Sequence, residues 1–352
     1  MTSQASDLAD FGWTSHFASQ LAADDLADLR PVRAAAIHRD RIHVVGPGID
    51  MLVLPLAVTD DEESAVTVGD WLLLDPEAQR LRRLLDRRSL FKRRAAGSGR
   101  RIQLIAANID TLFIVSSCNQ DFNPARLERY LALASETGVM PVVILTKADL
   151  AEDPADFARA ASRLLPRLLV EGLDARDPAS VARLAPWCGK GQTVALVGSS
   201  GVGKSTLVNT LTGAGGIATE GIRTDDDKGR HTTTVRSLHR LPAGGWLVDT
   251  PGMHELQLTD VRSGIDDVFA DVVALAGGCR FSDCAHETEP GCAIRAAIET
   301  GTLETTRFRR WRKLAAEEAH NSESLAQRHA RSRAFGKMAK RAMKEKLSRR
   351  GE

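Results

Sequence analysis

No apolar run in the 352-residue chain approaches the ~18 residues that span a bilayer, which excludes a helical membrane anchor. The opening residues, MTSQASDLADFGW, have neither a positive start nor an apolar stretch. No secretory leader is therefore expected, and the protein reads as cytoplasmic. There is no internal repeat, which excludes a repeat array. Cysteine is scarce, five residues in all, and three of them lie close together, a poor basis for a disulfide framework. A hydrophobic fraction of 43% with 26% charged residues excludes wholesale disorder and leaves enough apolar material for two or three domains.

Net charge is also nearly missing, at +1, but this is a cancellation. Residues 80–101 carry ten basic side chains against Asp86, and residues 328–350 carry ten against Glu345, so each segment stands at +9 and the remainder at −17. Basic clusters of this kind suit a polyanionic partner, most simply nucleic acid, although solvated helix faces and tails produce them too.

Residues 1–30 are acidic and alanine-rich with no clear core pattern, so a mobile lead-in is expected. Residues 31–95 show short β-prone runs at 32–37, 41–45, 51–56 and 68–75, broken by turn residues such as Gly46-Pro47-Gly48. About five strands at that spacing predict an OB-like β-barrel, a fold that often binds oligonucleotides; periodicity does not separate it from an SH3-like barrel. From Asn108 strands alternate with helices. Strands are expected at 111–116, 141–146, 167–170, 192–197, 235–241 and 246–249, and helices at 124–136, 154–165 and 204–211. The fold class is thus multidomain α/β, with a doubly wound parallel sheet over residues 96–258 and ligands at its strands' C-terminal ends. Residues 259–352 read as a helical, cysteine-bearing domain ending in a basic helix.

Gly198, Ser199, Ser200, Gly201, Val202, Gly203, Lys204 and Ser205, followed by Thr206, fit G-x-x-x-x-G-K-[ST] between a predicted strand and a predicted helix. In such a loop backbone N–H groups wrap phosphates at a helix N-terminus, Lys204 reaches the β/γ oxygens, and the Ser205 hydroxyl can ligate Mg²⁺. Asp249 ends a later strand in Asp249-Thr250-Pro251-Gly252, placing a carboxylate for Mg²⁺ and a Gly252 N–H for the γ-phosphate. Between them lies the polar loop Gly229-Arg230-His231-Thr232-Thr233-Thr234. One of Thr232 or Thr233 is expected to give Mg²⁺ a hydroxyl, and Thr233 is carried forward as that ligand. Thr146-Lys147-Ala148-Asp149 has the form of a guanine reader: Asp149 accepts from the base N1 and N2 donors while the Lys147 stem lies over the ring. Met253, where many GTPases carry glutamine, cannot orient water.

Cys279-x4-Cys284-x-His286-x5-Cys292 offers three thiolates and an imidazole, a closed tetrahedral set suited to one structural Zn²⁺ with no open position for catalysis. Cys118 and Cys188 read as packing residues.

The guanine motif precedes the phosphate loop, so the usual motif order is circularly permuted. With the barrel and the cysteine cluster, this resembles the RsgA-type small-ribosomal-subunit biogenesis GTPases over residues 31–315, and the cysteine spacing matches that family residue by residue. The resemblance implies a GTPase that binds the small (30S) subunit and its 16S rRNA and hydrolyses GTP to GDP during late maturation. It further implies a low intrinsic rate raised by the subunit, and a monomer. It suggests His231 as the water-positioning residue, acting with Lys204 and Thr233. Two positions depart from the family: Thr146 stands where asparagine is usual, and Leu173-Asp174-Ala175-Arg176 stands where Ser-Ala is expected near guanine O6, placing Ala175 there. The alternatives are a P-loop phosphotransferase with an appended zinc module, and a zinc-dependent DNA-binding protein with a vestigial nucleotide site. Thr146–Asp149 counts against the first, the complete Lys204, Ser205 and Asp249 set against the second.

Overall fold

The computed structural model describes residues 7–22, 25–56, 62–94, 102–213, 236–249 and 260–322. His231, Thr232, Thr233, Thr250, Gly252, Met253, His254 and the basic tail at 328–350 lie outside them.

Strands β1 (Arg30–Ile37), β2 (Ile42–Gly46) and β3 (Ile49–Val53) form an antiparallel meander. β4 (Trp71–Asp75) pairs with β1 and with β5 (Arg80–Leu84), and a parallel bridge between Leu54 and Arg80 brings the end of β3 back to β5. Five strands joined in this order make the expected OB-like barrel. Alternate residues point inward, so Val32 and Ala34 of β1 meet Leu72 and Leu74 of β4 in the barrel core.

The other face of β4 changes the reading of the N-terminus. Trp71 and Leu73 point out of the barrel, and Phe17, with Phe11 and Trp13 packed beside it, covers them. Phe17 is 1% exposed. Residues 7–22 are therefore a packed cover, not the expected lead-in. Their aromatics follow neither a helical nor a strand period, so no core pattern was visible.

β6 (Leu90–Arg94) and β7 (Ile102–Ala107) form a hairpin that straddles the expected boundary at residue 95. Beyond it lies a doubly wound sheet. Strands β8 (Thr111–Ser117), β9 (Met140–Thr146), β10 (Leu169–Gly172) and β11 (Thr193–Gly198) are joined by β12 (Arg236–Arg240) and β13 (Trp246–Asp249). The order is β10-β9-β8-β11-β13-β12, parallel except for β12, which then pairs antiparallel with β1, so nucleotide sheet and barrel are continuous. β8 and β11 are buried at every residue, as central parallel strands should be. The helices used below are α1 (Pro124–Glu136), α2 (Pro154–Ser162) and α3 (Lys204–Thr212), then α4 (Arg262–Val268), α5 (Ala270–Ala276), α6 (Ala293–Glu299) and α7 (Thr305–Ser322). The helix expected at 154–165 ends at Ser162, and the following strand starts at Leu169, because Arg167 turns the chain at φ 60.

α1 carries the C-terminal helices. Gly264 of α4 lies so close to it that a Cβ would sit 2.0 Å from the Ala132 carbonyl, and the Gly264 N–H donates to Glu136 at 2.9 Å. Glu128, buried in α1, accepts from Arg307 at 3.0 Å and from Arg310 at 2.7 Å, both on α7. Burial raises the Glu128 pKa, and the Arg310 and Arg307 guanidiniums oppose that rise. Arg129 and Glu317 add a two-pronged pair at 2.5 and 2.6 Å.

In the barrel, Arg33 of β1 is 1% exposed. Its guanidinium donates to the Phe11 carbonyl at 2.8 Å, to Thr193 Oγ1 at 2.8 Å and to the Asn108 carbonyl at 3.3 Å. One side chain thus ties the N-terminal cover, the barrel and β11. Burial pushes its pKa down to about 10, still charged at neutral pH. Arg33→Met keeps the length and removes every donor, stranding buried acceptors. We expect a loss of about 3 kcal/mol in folding stability, read as a lower urea midpoint by tryptophan fluorescence. An unchanged midpoint would show that this junction does not hold the fold.

Candidate nucleotide and zinc sites

The phosphate loop leaves β11 at Gly198 and enters α3 at Lys204. Gly198 has φ 146, and a Cβ there would sit 2.2 Å from the Val115 carbonyl, so only glycine fits between β11 and β8. Lys204 folds back over the loop: its Nζ donates to the Gly198 carbonyl at 2.9 Å and to that of Ser199. Partial burial lowers the Lys204 pKa. A phosphate oxygen is a stronger acceptor for that ammonium than either carbonyl. Ser205 is exposed in the first turn of α3, and Thr206 follows it there. Arg126, in the first turn of α1, donates to Ser199 Oγ at 2.8 Å.

The guanine motif stands at the end of β9, two strands from β11 across β8. Thr146 is fully buried, and its hydroxyl bonds the Ser116 carbonyl at 3.1 Å and the Val202 carbonyl at 2.5 Å. One hydroxyl thereby joins the base-reading strand to the phosphate loop. Lys147, at φ 56, adds a second link through Nζ to the Gly201 carbonyl at 3.0 Å. Asp149 lies just beyond, its carboxylate 2.7 Å from Arg176 Nη2. Ala175 is buried next to Arg176, and its carbonyl accepts from Thr210 of α3 at 2.7 Å. Its N–H has no hydrogen-bond partner among the described residues, which leaves it available to a base carbonyl.

For Mg²⁺, Ser205 and the backbone of Asp249 belong to the described residues. Asp249 ends β13, parallel to and beside β11, so that strand and the phosphate loop finish at the same edge of the sheet. A hydroxyl and a strand-end carboxylate are hard oxygen donors that fit Mg²⁺. The Thr232 or Thr233 hydroxyl, the Gly252 N–H and His231 fall outside the described residues.

The cysteine cluster is a single site. The ligand atoms of Cys279, Cys284, His286 and Cys292 all lie within 4.8 Å of one another. Cys279 and Cys292 sulfurs are 4.0 Å apart, and each lies 3.6 Å from His286 Nδ1. A tetrahedral ion with Zn–S bonds of ~2.3 Å sets neighbouring sulfurs about 3.8 Å apart, so the set fits zinc without rearrangement. Burial opposes ionisation of Cys279, but the Ala293 and Ile294 N–H groups at the start of α6, together with the Cys284 and Cys292 thiols, hold it below its ordinary pKa. Phe308 and Trp311 of α7 flank the His286 ring at 5.9 and 6.1 Å.

Sequence reasoning did not single out Arg126, Arg176 or Glu289. Only Glu289 had a local signal: an acid just before the Pro290-Gly291 turn of the metal loop. Its carboxylate accepts from the N–H groups of Ala285, Glu287 and Thr288 at 2.8–3.0 Å. Its own N–H and these donors pull its pKa to about 2. The support it gives the loop is present above the ordinary value of 4.5 and is lost as pH falls towards 2. Glu289→Ala should weaken zinc binding about tenfold in competition with a chelating dye. Unchanged affinity would show that the loop holds its shape without the carboxylate.

The glycine-rich loop leaves the end of β11, the Thr146–Asp149 motif stands at the end of β9 and β13 ends at Asp249, the layout of a P-loop GTPase of permuted motif order. The chain belongs to the RsgA GTPase family, whose sequence model matches residues 84–259. It is 52% identical over 327 residues to the small ribosomal subunit biogenesis GTPase RsgA of Mesorhizobium japonicum, covering 92% of this chain and 93% of that one. It is 49% identical over 349 residues to the small ribosomal subunit biogenesis GTPase RsgA 2 of Vibrio parahaemolyticus, covering 99% and 96%. The crystal structure of YjeQ from Thermotoga maritima superposes with a TM-score of 0.60 at 23% identity, covering 82% of this chain and 98% of that one. YloQ, described as a circularly permuted GTPase, superposes with a TM-score of 0.58 at 22% identity, covering 84% and 97%. The fold is therefore the permuted GTPase fold, and family membership makes the chain a GTP hydrolase. The kinase and vestigial-site readings fall away. No described helix is long and apolar enough to cross a membrane.

Proposed function

We propose that the chain acts in the cytoplasm as a monomer on the small ribosomal subunit, bound through 16S rRNA, and that GTP hydrolysis times its release late in maturation. The observation that carries this is an identity of about half over nearly the full chain to proteins named for small-subunit biogenesis. The barrel at 31–95 and the basic tail face the rRNA. The nucleotide domain spans 96–258, and the zinc-bearing helical domain spans 259–352.

In this reading Thr146, Lys147, Asp149 and Ala175 hold the guanine, and residues 198–206 hold the phosphates. Ser205, Thr233 and Asp249 hold Mg²⁺, which when bound neutralises charge on the β and γ oxygens. Lys204 steadies the charge that develops on those oxygens, and Gly252 with Thr232 or Thr233 senses the terminal phosphate. Zn²⁺ at Cys279, Cys284, His286 and Cys292 fixes the loops of the last domain on α6 and α7. Met253 leaves the usual glutamine position without a water-orienting group, so His231 takes that task in the subunit-stimulated reaction.

Co-sedimentation with small subunits should show strong association with a non-hydrolysable GTP analogue and weak association with GDP. Equal, negligible association in both states would remove the ribosomal assignment. His231→Ala should lower the subunit-stimulated kcat about a hundredfold, with nucleotide affinity unaltered. An unchanged stimulated kcat would exclude the role of His231.

A further inference from the structure

Arg176 stands in the base pocket in a way that no role assigned above uses. Its guanidinium is moored to Asp174: Nε lies 3.1 Å from Oδ1, Nη2 lies 3.1 Å from Oδ2, and the backbone N–H of Arg176 also donates to Oδ1 at 2.9 Å. From that mooring the same Nη2 reaches Asp149 Oδ2 at 2.7 Å. Asp149 is the carboxylate assigned to the base. Guanine presents two N–H donors side by side, from N1 and N2, and needs both carboxylate oxygens. A guanidinium presents the same kind of N–H donor to the same acceptor. Both draw on Oδ2, so the guanidinium takes one of the acceptor sites that the base edge would use.

We propose that Arg176 is a built-in competitor for the guanine site, a positioning residue that occupies Asp149 when nucleotide is absent and lowers the affinity for GDP and GTP alike. The proposal rests on the assignment of Asp149 to the base. Displacement needs little motion, because Nη2 is shared between Asp149 and Asp174 and the arginine keeps its Asp174 contacts after the base enters. Its side chain is 65% exposed, so the pair with Asp149 that it gives up is screened by water and a modest one. The Asp149 carboxylate then exchanges one donor for two.

The experiment is a titration of fluorescent GDP into wild type, Arg176→Ala and Arg176→Gln at low and high salt. Exposed ion pairs of this kind correspond to about a two- to fivefold change in equilibrium, so both variants should bind GDP about two- to fivefold more tightly at low salt. At high salt the gap should close, because screening already weakens the competitor in the wild type. Unchanged or weaker binding by both variants would overturn the proposal, and so would a gap that is insensitive to salt. Asp149→Asn, run in parallel, separates this from the base assignment: it should shift preference from guanine towards xanthine nucleotides. If it does while the arginine variants do nothing, Arg176 alone is misassigned. If GDP binding ignores Asp149→Asn, the base assignment itself fails and Arg176 falls with it.

Discussion

A guanidinium with almost no access to water, and no carboxylate at ion-pair distance among the described residues, sits where three parts of this chain meet. Arg33 costs a great deal to bury, and carbonyls from the N-terminal cover and the stretch before β8, together with the Thr193 hydroxyl of β11, compensate it. Each acceptor comes from a separate segment, so the cost is offset only when all of them are in place. The register of β1 against β12 extends the same joint. Barrel and nucleotide sheet are therefore held as one body, and a load on the barrel bears directly on the sheet that ends in the phosphate loop.

α1 performs the matching task for the C-terminal helices. Its 13 residues extend about 20 Å. At one end Arg126 touches the phosphate loop through Ser199. Further along, Glu128, Arg129 and Glu136 hold α4 and α7, and α7 in turn flanks His286 of the cysteine loop that joins α5 to α6. Arg307 also lies over the Phe269 ring at 4.6 Å, binds Asp271 of α5 at 2.8 Å and donates to the Val268 carbonyl of α4 at 2.8 Å, so the arginine that pairs with Glu128 of α1 also ties α4 and α5 to α7. The permuted order explains why this helix is central: the strand and helix that begin the nucleotide domain in the chain stand in the middle of its sheet, between the base reader and the phosphate loop.

The sites were more legible in the sequence than the joints between them. Gly198 to Ser205 announces itself because backbone wrapping and the glycine conformations are local demands. The cysteine ligands announce themselves because four donors must fall within a short loop. Strands β8, β9 and β11 were visible as apolar runs, and their ends located the motifs. Arg33 and Glu128 were not legible: a buried charge looks like a surface charge until its partners, 22 to 182 residues away, are brought to it. Phe11, Trp13 and Phe17 were missed for a related reason, since they cover a face of β4 and need no period of their own. Arg176 was read as loop residue, and only the fold brings it from Asp174 to Asp149.

Charge shows the same distinction between chain and space. The basic run after Arg80 promised a free positive patch, yet Arg82 pairs with Asp75, Arg83 with Asp25, Arg87 with Asp70, Arg88 with Asp110 and Lys92 with Glu63. Much of that segment is spent on internal joints at the barrel's edge. The nucleotide site is treated differently. Lys204, Lys147 and Arg126 all point into the phosphate loop, and their partners there are carbonyls and a hydroxyl, with no carboxylate at ion-pair distance among the described residues. At the base end Asp149 and Asp174 stand together. A nucleotide has the opposite arrangement, anionic at its phosphates and rich in donors on the guanine edge. Neutral acceptors give up a cation to phosphate far more readily than carboxylates do. A loop whose lysines rest on carbonyls can therefore release them to a ligand, which an ion-paired loop could not do without first breaking its pairs.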